Sequence, residues 1–314
     1  MRTAGALAVA LAFPLAVAAL ASAAFPGRNG RIVFVRNGVE VVTVSATGGG
    51  ARVVVSGMGV SSPRWSPDGN RIAFSGSTGG EQPPLTRVFV VNADGSGLHA
   101  LTEPPRGAHD LEPSWSPDGK RIVFARRFAS PIVRAASLPP RPLLPALYVI
   151  GADGSGERLL ARDGRTPAWA PDGKRIAFVV DRDVGPAALH WLAVINADGS
   201  ARHRLTPAGS TQEDSPDWSP DGRRIVYSDE GRVVSIRRDG GGRIDLTDGK
   251  LLDETPAYSP DGRRIVLVRN YATKGAAAHR LLVMRANGSA QHLLLQNQGQ
   301  ADVQSPDWQP LVRP

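Results

Sequence analysis

One short phrase recurs six times along the chain, and it constrains the fold more than any other feature. Each copy has a residue before proline, a variable residue and then a large aromatic residue; five copies continue into a Pro-Asp-Gly turn. The copies begin at Ser62, Glu112, Thr166, Ser215, Thr255 and Ser305, and their aromatic residues are Trp65, Trp115, Trp169, Trp218, Tyr258 and Trp308. The aromatic residues are 40 to 54 residues apart, which is the spacing of propeller blades.

The residues after each turn predict that the repeating unit is a four-stranded sheet. Each Pro-Asp-Gly is followed by an apolar run such as Arg121-Ile-Val-Phe124, whose β-branched and aromatic residues favour a strand. A second hairpin follows, here Leu147–Ile150, a glycine-rich turn and Arg158–Leu160. Both turns have typical hairpin chemistry, because Asp tolerates the turn and glycine supplies a positive φ.

The two ends of the chain complete the last unit. The sixth copy ends at Pro310 without its later strands, whereas residues 29–34, 39–44 and 52–55 near the start match those strands. Pairing them would close the ring and remove an exposed sheet edge. We therefore predict an all-β fold over residues 24–314: a six-bladed propeller of four-stranded antiparallel blades, closed by one C-terminal and three N-terminal strands.

Residues 1–23 are typical of a signal peptide rather than of the folded domain. Arg2 precedes an apolar run from Ala4 to Leu20, and Ala21-Ser-Ala23 is a small-residue cleavage site. A membrane anchor is the alternative, but the run is shorter than the roughly 20 residues of a span and contains Pro14. We expect export to the periplasm or the medium, no stable membrane insertion, and a monomer.

Cysteine is absent from the sequence, which excludes disulfides, thiol chemistry and lipidation of a thiol at the cleavage site. The net charge of +8 is carried partly by arginines that begin the strand after each turn. These predict a basic belt around one rim, which would attract anionic envelope polymers or an acidic partner, or would be solvated strand-end charge. Nucleic acid is not an expected partner outside the cell.

The segments that lead into the innermost strands predict an acidic mouth on the opposite face, where variable loops of a rigid scaffold usually bind. Five of the six segments carry a carboxylate. The candidate site residues are His109, Asp110, Glu112, Asp163, Arg165, Glu213, Asp214, Asp253, Glu254 and Asp302.

Four interpretations of this ring remain open. It would dock a cationic peptide, hold a hard cation through oxygen ligands, perform acid and base chemistry with paired carboxylates, or bond nearby backbone amides. No compact Asp-rich loop occurs, which disfavours calcium. We therefore predict no metal and no cofactor.

Two further features bear on function. The link from Arg126 to Pro145 is basic, rich in proline and longer than the usual limit of about 15 residues for a structureless loop, so it is either a recognition arm or disordered. An enzyme interpretation finds no Gly-x-Ser-x-Gly motif. The histidines other than His109 recur at equivalent repeat positions, which indicates structural roles. These are His99, His203 and His292 in outer strands, and His190 and His279 before third strands. His109 is therefore predicted to be alone at the mouth.

The run from Trp115 to Phe124, Trp-Ser-Pro-Asp-Gly-Lys-Arg-Ile-Val-Phe, together with Ala152-Asp-Gly-Ser-Gly156, resembles the WD40-like (PD40) repeats of the TolB family. The resemblance covers nearly all of the chain after residue 23. It implies a propeller that binds a protein or peptide segment at its channel face. Similar propellers also occur in prolyl peptidases and in some sugar lyases. The separate N-terminal α/β domain of TolB, which contacts inner-membrane partners, is expected to be missing here.

These observations lead to a first hypothesis, an exported, non-enzymatic interaction module that binds a cell-envelope protein or peptide at the acidic channel face. The alternative is a propeller enzyme, similar to lyases or lactonases, that acts on a carbohydrate or small molecule. Its residues would be His109, Glu112, Glu213, Asp214 and Glu254. A third possibility is a partner of a sensor ectodomain, recognised through the proline-rich link.

Overall fold

The protein is a ring of six antiparallel sheets, as the repeat predicts. The computed structural model describes residues 25–79, 85–128, 144–183, 188–207, 213–273, 276–295 and 302–311. Within these residues, twenty-four strands form six four-stranded sheets. The same part of the chain contains no helix that is long and apolar enough to cross a bilayer. The predicted signal peptide lies outside the described residues.

The strands fall into four sets according to their place in a blade, from the central channel outward. The innermost strands are β4 (Gly59–Trp65), β8 (Ala108–Trp115), β12 (Gly164–Trp169), β16 (Asp214–Trp218), β20 (Leu252–Tyr258) and β24 (Val303–Leu311). The second strands are β1 (Arg28–Arg36), β5 (Arg71–Ser77), β9 (Arg121–Phe128), β13 (Arg175–Asp183), β17 (Arg224–Asp229) and β21 (Arg264–Thr273). The third strands are β2 (Glu40–Val44), β6 (Thr86–Asn92), β10 (Ala146–Gly151), β14 (Ala188–Asn196), β18 (Arg232–Arg237) and β22 (Ala276–Arg285). The outer strands are β3 (Arg52–Val55), β7 (His99–Ala100), β11 (Arg158–Arg162), β15 (His203–Arg204), β19 (Ile244–Asp245) and β23 (His292–Leu293).

Blades 1 to 5 are the consecutive groups β4–β7, β8–β11, β12–β15, β16–β19 and β20–β23, and blade 6 closes the ring. Blade 6 has the strand order β24-β1-β2-β3, so one C-terminal strand pairs with three N-terminal strands. Its register aligns Ile32 with Trp308 and Phe34 with Val42. The predicted closure is confirmed.

The core lies between adjacent blades and is built from the aromatic residues of the repeat. Trp65, Trp115, Trp169, Trp218 and Trp308 are at most 3% exposed. The indole N–H of Trp115 donates to the carbonyl of Arg64 in the preceding blade at 3.2 Å, and that of Trp218 donates to Ala168 at 3.1 Å. The expected core role of these residues is confirmed, and each one links two blades.

The arginines that begin the second strands do not form a simple solvated belt. Three of them place the guanidinium group over the tryptophan of the next blade, at 4.7 to 5.7 Å from the ring centroid. These pairs are Arg71 with Trp115, Arg121 with Trp169 and Arg175 with Trp218. The repeated arginine therefore stabilises the contact between blades through cation–π attraction.

Candidate functional site

A backbone irregularity, repeated in every blade, shapes the channel. In each innermost strand the register slips at the residue before proline, and that residue has a positive φ although it is not glycine. The six residues are Ser62, Glu112, Thr166, Ser215, Thr255 and Ser305, with φ between 45° and 58°. Proline has no N–H to donate to the ladder, which accounts for the lost pairing at this step.

These six bulge residues line one central cavity of about 190 Å³. Five of them are serine or threonine, and Glu112 is the carboxylate in the set. Asp214 and Arg64 also reach the same cavity. The buried hydroxyl oxygens of Thr166 and Thr255 have no hydrogen-bond partner among the described residues. The cavity wall therefore offers hydroxyl groups beside carboxylates, a lining suited to a polar ligand.

Glu112 spans the junction between blades 2 and 3. Its carboxylate accepts a hydrogen bond from the backbone N–H of Thr166 at 2.7 Å, and it pairs with Arg127 at 3.1 Å. Its own N–H donates to the hydroxyl of Ser75 at 2.9 Å. Burial raises the pKa of Glu112, and the nearby charge of Asp214 adds to the rise, although Arg127 opposes it. The predicted site residue Glu112 is thus held in the cavity wall.

Arg165 and Asp214 join blades 3 and 4 at the mouth. The guanidinium of Arg165 contacts Asp214 at 2.7 Å and Asp181 at 2.8 Å, and it donates to the carbonyl of Glu213 at 3.0 Å. His190 lies 3.4 Å from Asp181. The side chain of Asp214 is still 44% exposed, so it can meet a ligand, whereas Arg165 is nearly buried.

Glu254, His279 and Asp302 form a second charged group on the rim. An imidazole nitrogen of His279 is in close contact with the Asp302 carboxylate. Asp302 also accepts a hydrogen bond from the side chain of Gln304 at 2.7 Å. Burial raises the pKa of Glu254, while the charge of His279 partly opposes this. Glu254 makes no hydrogen bond or ion pair within the described chain, and it is half-buried.

Two predicted site residues lie inside blades and are neutralised there. Asp110 is fully buried and binds Arg126 with both carboxylate oxygens, at 2.6 and 2.9 Å. Asp253 binds Arg269 in the same way, at 2.6 and 2.8 Å. In both cases an aspartate two positions before the bulge residue faces an arginine on the second strand of its own blade. These ion pairs hold adjacent strands together.

The remaining predicted residues are also engaged within the protein. Glu213 is buried and accepts a hydrogen bond from the Thr206 hydroxyl at 2.8 Å, and burial raises its pKa to about 7. Asp163 pairs with Arg202 at 2.7 Å. His109 contacts the hydroxyl of Thr86 at 3.3 Å. The structure therefore places Glu112 and Asp214 in the cavity wall, with Arg165 bound to Asp214. The other predicted residues are not among the described residues that line the cavity.

One interpretation from the sequence changes here, and another stays untested. His109 is not the sole histidine near the mouth, because His190 and His279 contact the charged residues of the rim. The proposed recognition arm falls mainly on residues 129–143, which lie outside the described residues, and it stays a prediction.

A third charged group, which the sequence interpretation missed, lies deeper in the channel. Arg64, Asp217 and Asp307 line a smaller adjoining cavity of about 40 Å³, together with Phe25. Arg64 lies 3.8 Å from Asp307. Burial raises the pKa of Asp217 to about 7 and that of Asp307 to about 6, although Arg64 opposes both. The two carboxylates therefore share one arginine.

A sequence signal for this group existed in the repeat itself. The residue between proline and the aromatic residue is small in three copies, Ser114, Ala168 and Ala257, but is charged in the other three. This position is the next one after the bulge residue whose side chain faces the channel. A charged residue there therefore predicts a charge inside the channel. Within the described ranges, no group of three or more His, Asp or Glu side chains is arranged to hold a metal ion.

Comparison with known proteins supports the propeller and leaves its activity open. A family model described as the TolB β-propeller domain (PD40) matches residues 143–312. No curated protein matches the sequence significantly. Among solved structures, TolB from Acinetobacter baumannii superposes with a TM-score of 0.67 at 23% identity, over 90% of this chain and 67% of that one.

Two other solved propellers show how widely the fold is used. A chain in a nidogen/laminin complex gives a TM-score of 0.68 at 10% identity, over 90% of this chain and 99% of its own. An oligogalacturonate lyase in complex with manganese gives 0.53 at 15% identity, over 82% and 71% of the two chains. At these identities the similarity shows the fold alone.

Proposed function

Because the chain belongs to the TolB β-propeller domain family, we propose that it is an exported, non-enzymatic interaction module that binds a protein or peptide segment at its acidic channel mouth. The observation that carries the proposal is the convergence of six bulge residues on one cavity. Five hydroxyl side chains there are backed by the carboxylates of Glu112 and Asp214.

The balance of charge favours a cationic segment. Arg127 pairs with Glu112, and Arg165 pairs with both Asp181 and Asp214. Glu254 has no ion-pair partner in the described part of the chain. Burial raises the pKa of Glu112 and of Glu254, because the charged form of each carboxylate is poorly solvated. A lysine or arginine of the ligand would stabilise that charged form. Such a contact would neutralise them in a partly desolvated site.

A triple variant tests the mouth directly. We would make Glu112→Gln, Asp214→Asn and Glu254→Gln in one protein and measure the binding of a capped Gly-Lys repeat peptide by fluorescence anisotropy, with a Gly-Glu peptide alongside. Capture from cell-envelope extract would then be compared for the same proteins. We expect the triple variant to bind the cationic peptide about a hundredfold more weakly, because each neutralised contact is worth about a factor of ten or less.

The matched control removes the same charge from the other face. Asp94, Asp153 and Asp239 lie in the turns between third and outer strands and are exposed. Asn287 occupies the equivalent place and makes the same hydrogen bonds to Ser289, so changing the three aspartates to asparagine preserves the turns. If this control loses as much affinity as the mouth variant, net charge explains binding and the mouth is not the site. If the wild type prefers the Gly-Glu peptide, the proposal is wrong.

Export is part of the proposal and rests on residues 1–23. The predicted signal peptide would be removed after Ala23, so the mature protein would begin at Ala24 in the periplasm or the medium. N-terminal sequencing of the protein recovered from each cell fraction tests this. An unprocessed N-terminus on cytoplasmic protein would contradict it.

One observation keeps an enzyme as a second candidate. His279 is in contact with Asp302, and its charge acts on Glu254, an arrangement that could move a proton. The fold similarity to an oligogalacturonate lyase suggests an acidic oligosaccharide as the substrate to try. The assay measures the formation of unsaturated product by absorbance, with and without manganese. Product that is lost in His279→Ala would favour the enzyme. The absence of product would favour the binding module.

A further inference from the structure

A basic groove lies between blades 2 and 3, on the face of the hairpin turns and away from the acidic mouth. It has a volume of about 420 Å³ and is lined by Arg121 and Arg158 from blade 2 and by Lys174, Asn196, Ala197 and Asp198 from blade 3. We propose that this groove binds a phosphate group, presented by a polymer or by a lipid headgroup.

The two arginines are held in place before any ligand arrives. The guanidinium of Arg121 lies 4.8 Å from the ring centroid of Trp169, and that of Arg158 donates one hydrogen bond to the carbonyl of Ala197 across the blade junction at 2.8 Å. Among the described residues, most of the N–H donors of both side chains have no acceptor. A fixed guanidinium loses little conformational entropy on binding, and its planar donors match phosphate oxygens.

The three cations form no close ion pair among the described residues. Within the described residues, no ion pair involves Arg121, Arg158 or Lys174. The acidic groups nearby are engaged in their own turns: Asp198 accepts two hydrogen bonds from Ser200, at 2.7 and 2.8 Å. Asp172 bonds the side chain of Arg175, and Asp118 bonds Ser116. Asp198 attracts Arg158 and Asp118 attracts Arg121, but neither makes a close ion pair with it. Three cations and one carboxylate therefore line the groove, which leaves an excess of positive charge.

The repeat supplies an internal comparison. At the junction between blades 6 and 1, Arg31 and Arg52 stand at the positions of Arg121 and Arg158, but Asn70 replaces Lys174. The position of Arg158 is a histidine in blades 1, 3 and 5, respectively His99, His203 and His292, and it is Ile244 in blade 4. The full set of two arginines and a lysine is thus a property of one groove rather than of the whole rim.

The chemistry of the donors selects the ligand. Two anchored guanidinium groups and one ammonium group, on opposite walls of an open groove, fit an oxyanion with several acceptor oxygens. Lysine adds a flexible point charge to the fixed arginine donors. Because the groove is open, a phosphate carried on a larger molecule can enter it without being buried.

The test uses inorganic phosphate as the probe, titrated into the mature protein at constant ionic strength with chloride as the comparison. The readout is the chemical shift of the arginine side-chain Nε–Hε signals. We expect two signals to respond to phosphate and not to chloride, and to be assigned to Arg121 and Arg158 by the loss of one in Arg158→His. Arg158→His and Lys174→Asn, which install residues found at equivalent positions of other blades, should each weaken binding about tenfold.

Arg52→His is the matched control, because it removes the same charge from the same repeat position at the junction next to Asn70. Its phosphate affinity should stay within about twofold of the wild type. Equal losses in Arg52→His and Arg158→His, or shifts that chloride reproduces, would overturn the proposal. Melting temperatures of all variants check that folding is intact.

Co-sedimentation with phosphatidylglycerol vesicles, and with neutral phosphatidylcholine vesicles, identifies the source of the phosphate. Binding to the anionic vesicles that is lost in Lys174→Asn supports a lipid headgroup. Phosphate binding without vesicle binding supports a soluble or polymer-borne phosphate. The groove is distinct from the mouth, so failure of this test would leave the proposed function untouched.

Discussion

Replacing Asp217 with asparagine should stabilise the protein at alkaline pH and have much less effect at acidic pH. Asp217 lies on β16 in the channel, where it shares Arg64 with Asp307 and accepts a hydrogen bond from the backbone N–H of Tyr258 at 2.7 Å. Burial raises its pKa from an ordinary 3.8 to about 7. Asparagine keeps an acceptor oxygen for Tyr258 but carries no charge to desolvate.

The magnitude follows from linkage between protonation and folding. Since the folded state holds the proton more tightly than the unfolded chain, the free energy of unfolding is highest below the ordinary pKa and declines as the pH rises toward 7. A shift of about three units corresponds to about 4 kcal/mol at 1.36 kcal/mol per unit. Asp217 keeps some surface toward the cavity, and solvent there screens part of the penalty, so we expect a gain of about 2 kcal/mol for Asp217→Asn at pH 8.

Differential scanning calorimetry at pH 4.5 and pH 8 measures this effect. A protein of this size gains about 2 °C in Tm per kcal/mol, so Asp217→Asn should melt about 4 °C above the wild type at pH 8 but only about 1 °C above it at pH 4.5. A gain that is equal at both pH values would refute the electrostatic reasoning. Destabilisation at pH 8 would show that Arg64 needs this carboxylate.

Asp118 provides a control of opposite sign. Burial by itself would raise its pKa, but hydrogen bonds from Ser116 at 2.5 Å and from the backbone N–H of Lys120 at 3.1 Å lower it. Its charged form therefore stabilises the fold above its ordinary pKa, and this contribution is lost as the pH falls below that value and through the lowered pKa of the folded state. Asp118→Asn should lower Tm at pH 8, where Asp217→Asn raises it.

Three further predictions concern the repeat, the buried ion pairs and the mouth. In four Pro-Asp-Gly turns a serine hydroxyl bonds the turn aspartate, and these serines are Ser66, Ser116, Ser219 and Ser259. Ala170 stands at the same position in the fifth turn, so Ala170→Ser should add about 1 kcal/mol to the free energy of unfolding and raise Tm by about 2 °C. An unchanged Tm would contradict this. Arg126→Met leaves Asp110 and Glu157 without their ion-pair partner and should lower the free energy of unfolding by about 3 to 5 kcal/mol. The expected fall in Tm is at least about 6 °C. A Tm within a degree or two of the wild type would show that these ion pairs are dispensable. Binding of the Gly-Lys peptide should weaken as the pH falls from 8 toward the ordinary glutamate pKa of 4.5, because burial raises the pKa of Glu112 and of Glu254 and so makes both take up a proton at a higher pH than an exposed glutamate does. Tighter binding at low pH would argue against these carboxylates.

The fold could be predicted because its signals are local and repeated. Aromatic spacing, the Pro-Asp-Gly turns and the matching halves at the two ends specify six blades and their closure, and blade 6 pairs as expected. The turn glycines illustrate a local signal of this kind. Gly119 has a φ of 66° and Gly173 a φ of 67°, and glycine adopts these conformations without strain.

The candidate site could be predicted only in part, because the sequence of an acidic segment does not determine the orientation of each carboxylate side chain. Asp110 and Asp253 belong to the same acidic segments as Glu112 and Glu254, yet arginines on neighbouring strands bind them. Partners of this kind are 16 residues away in sequence and meet only once the hairpin pairs. Pairing therefore decides which charges remain available to a ligand.

The sequence by itself determined the number of blades, the strand order and the buried aromatic core, because each follows from residue types within one repeat. Tertiary structure decided the chemistry of the channel. The slip before each proline turns six side chains toward one cavity, and ring closure brings Arg64, Asp217 and Asp307 together from three different blades. Contacts between distant blades depend on the geometry of the whole ring, which local residue patterns do not encode.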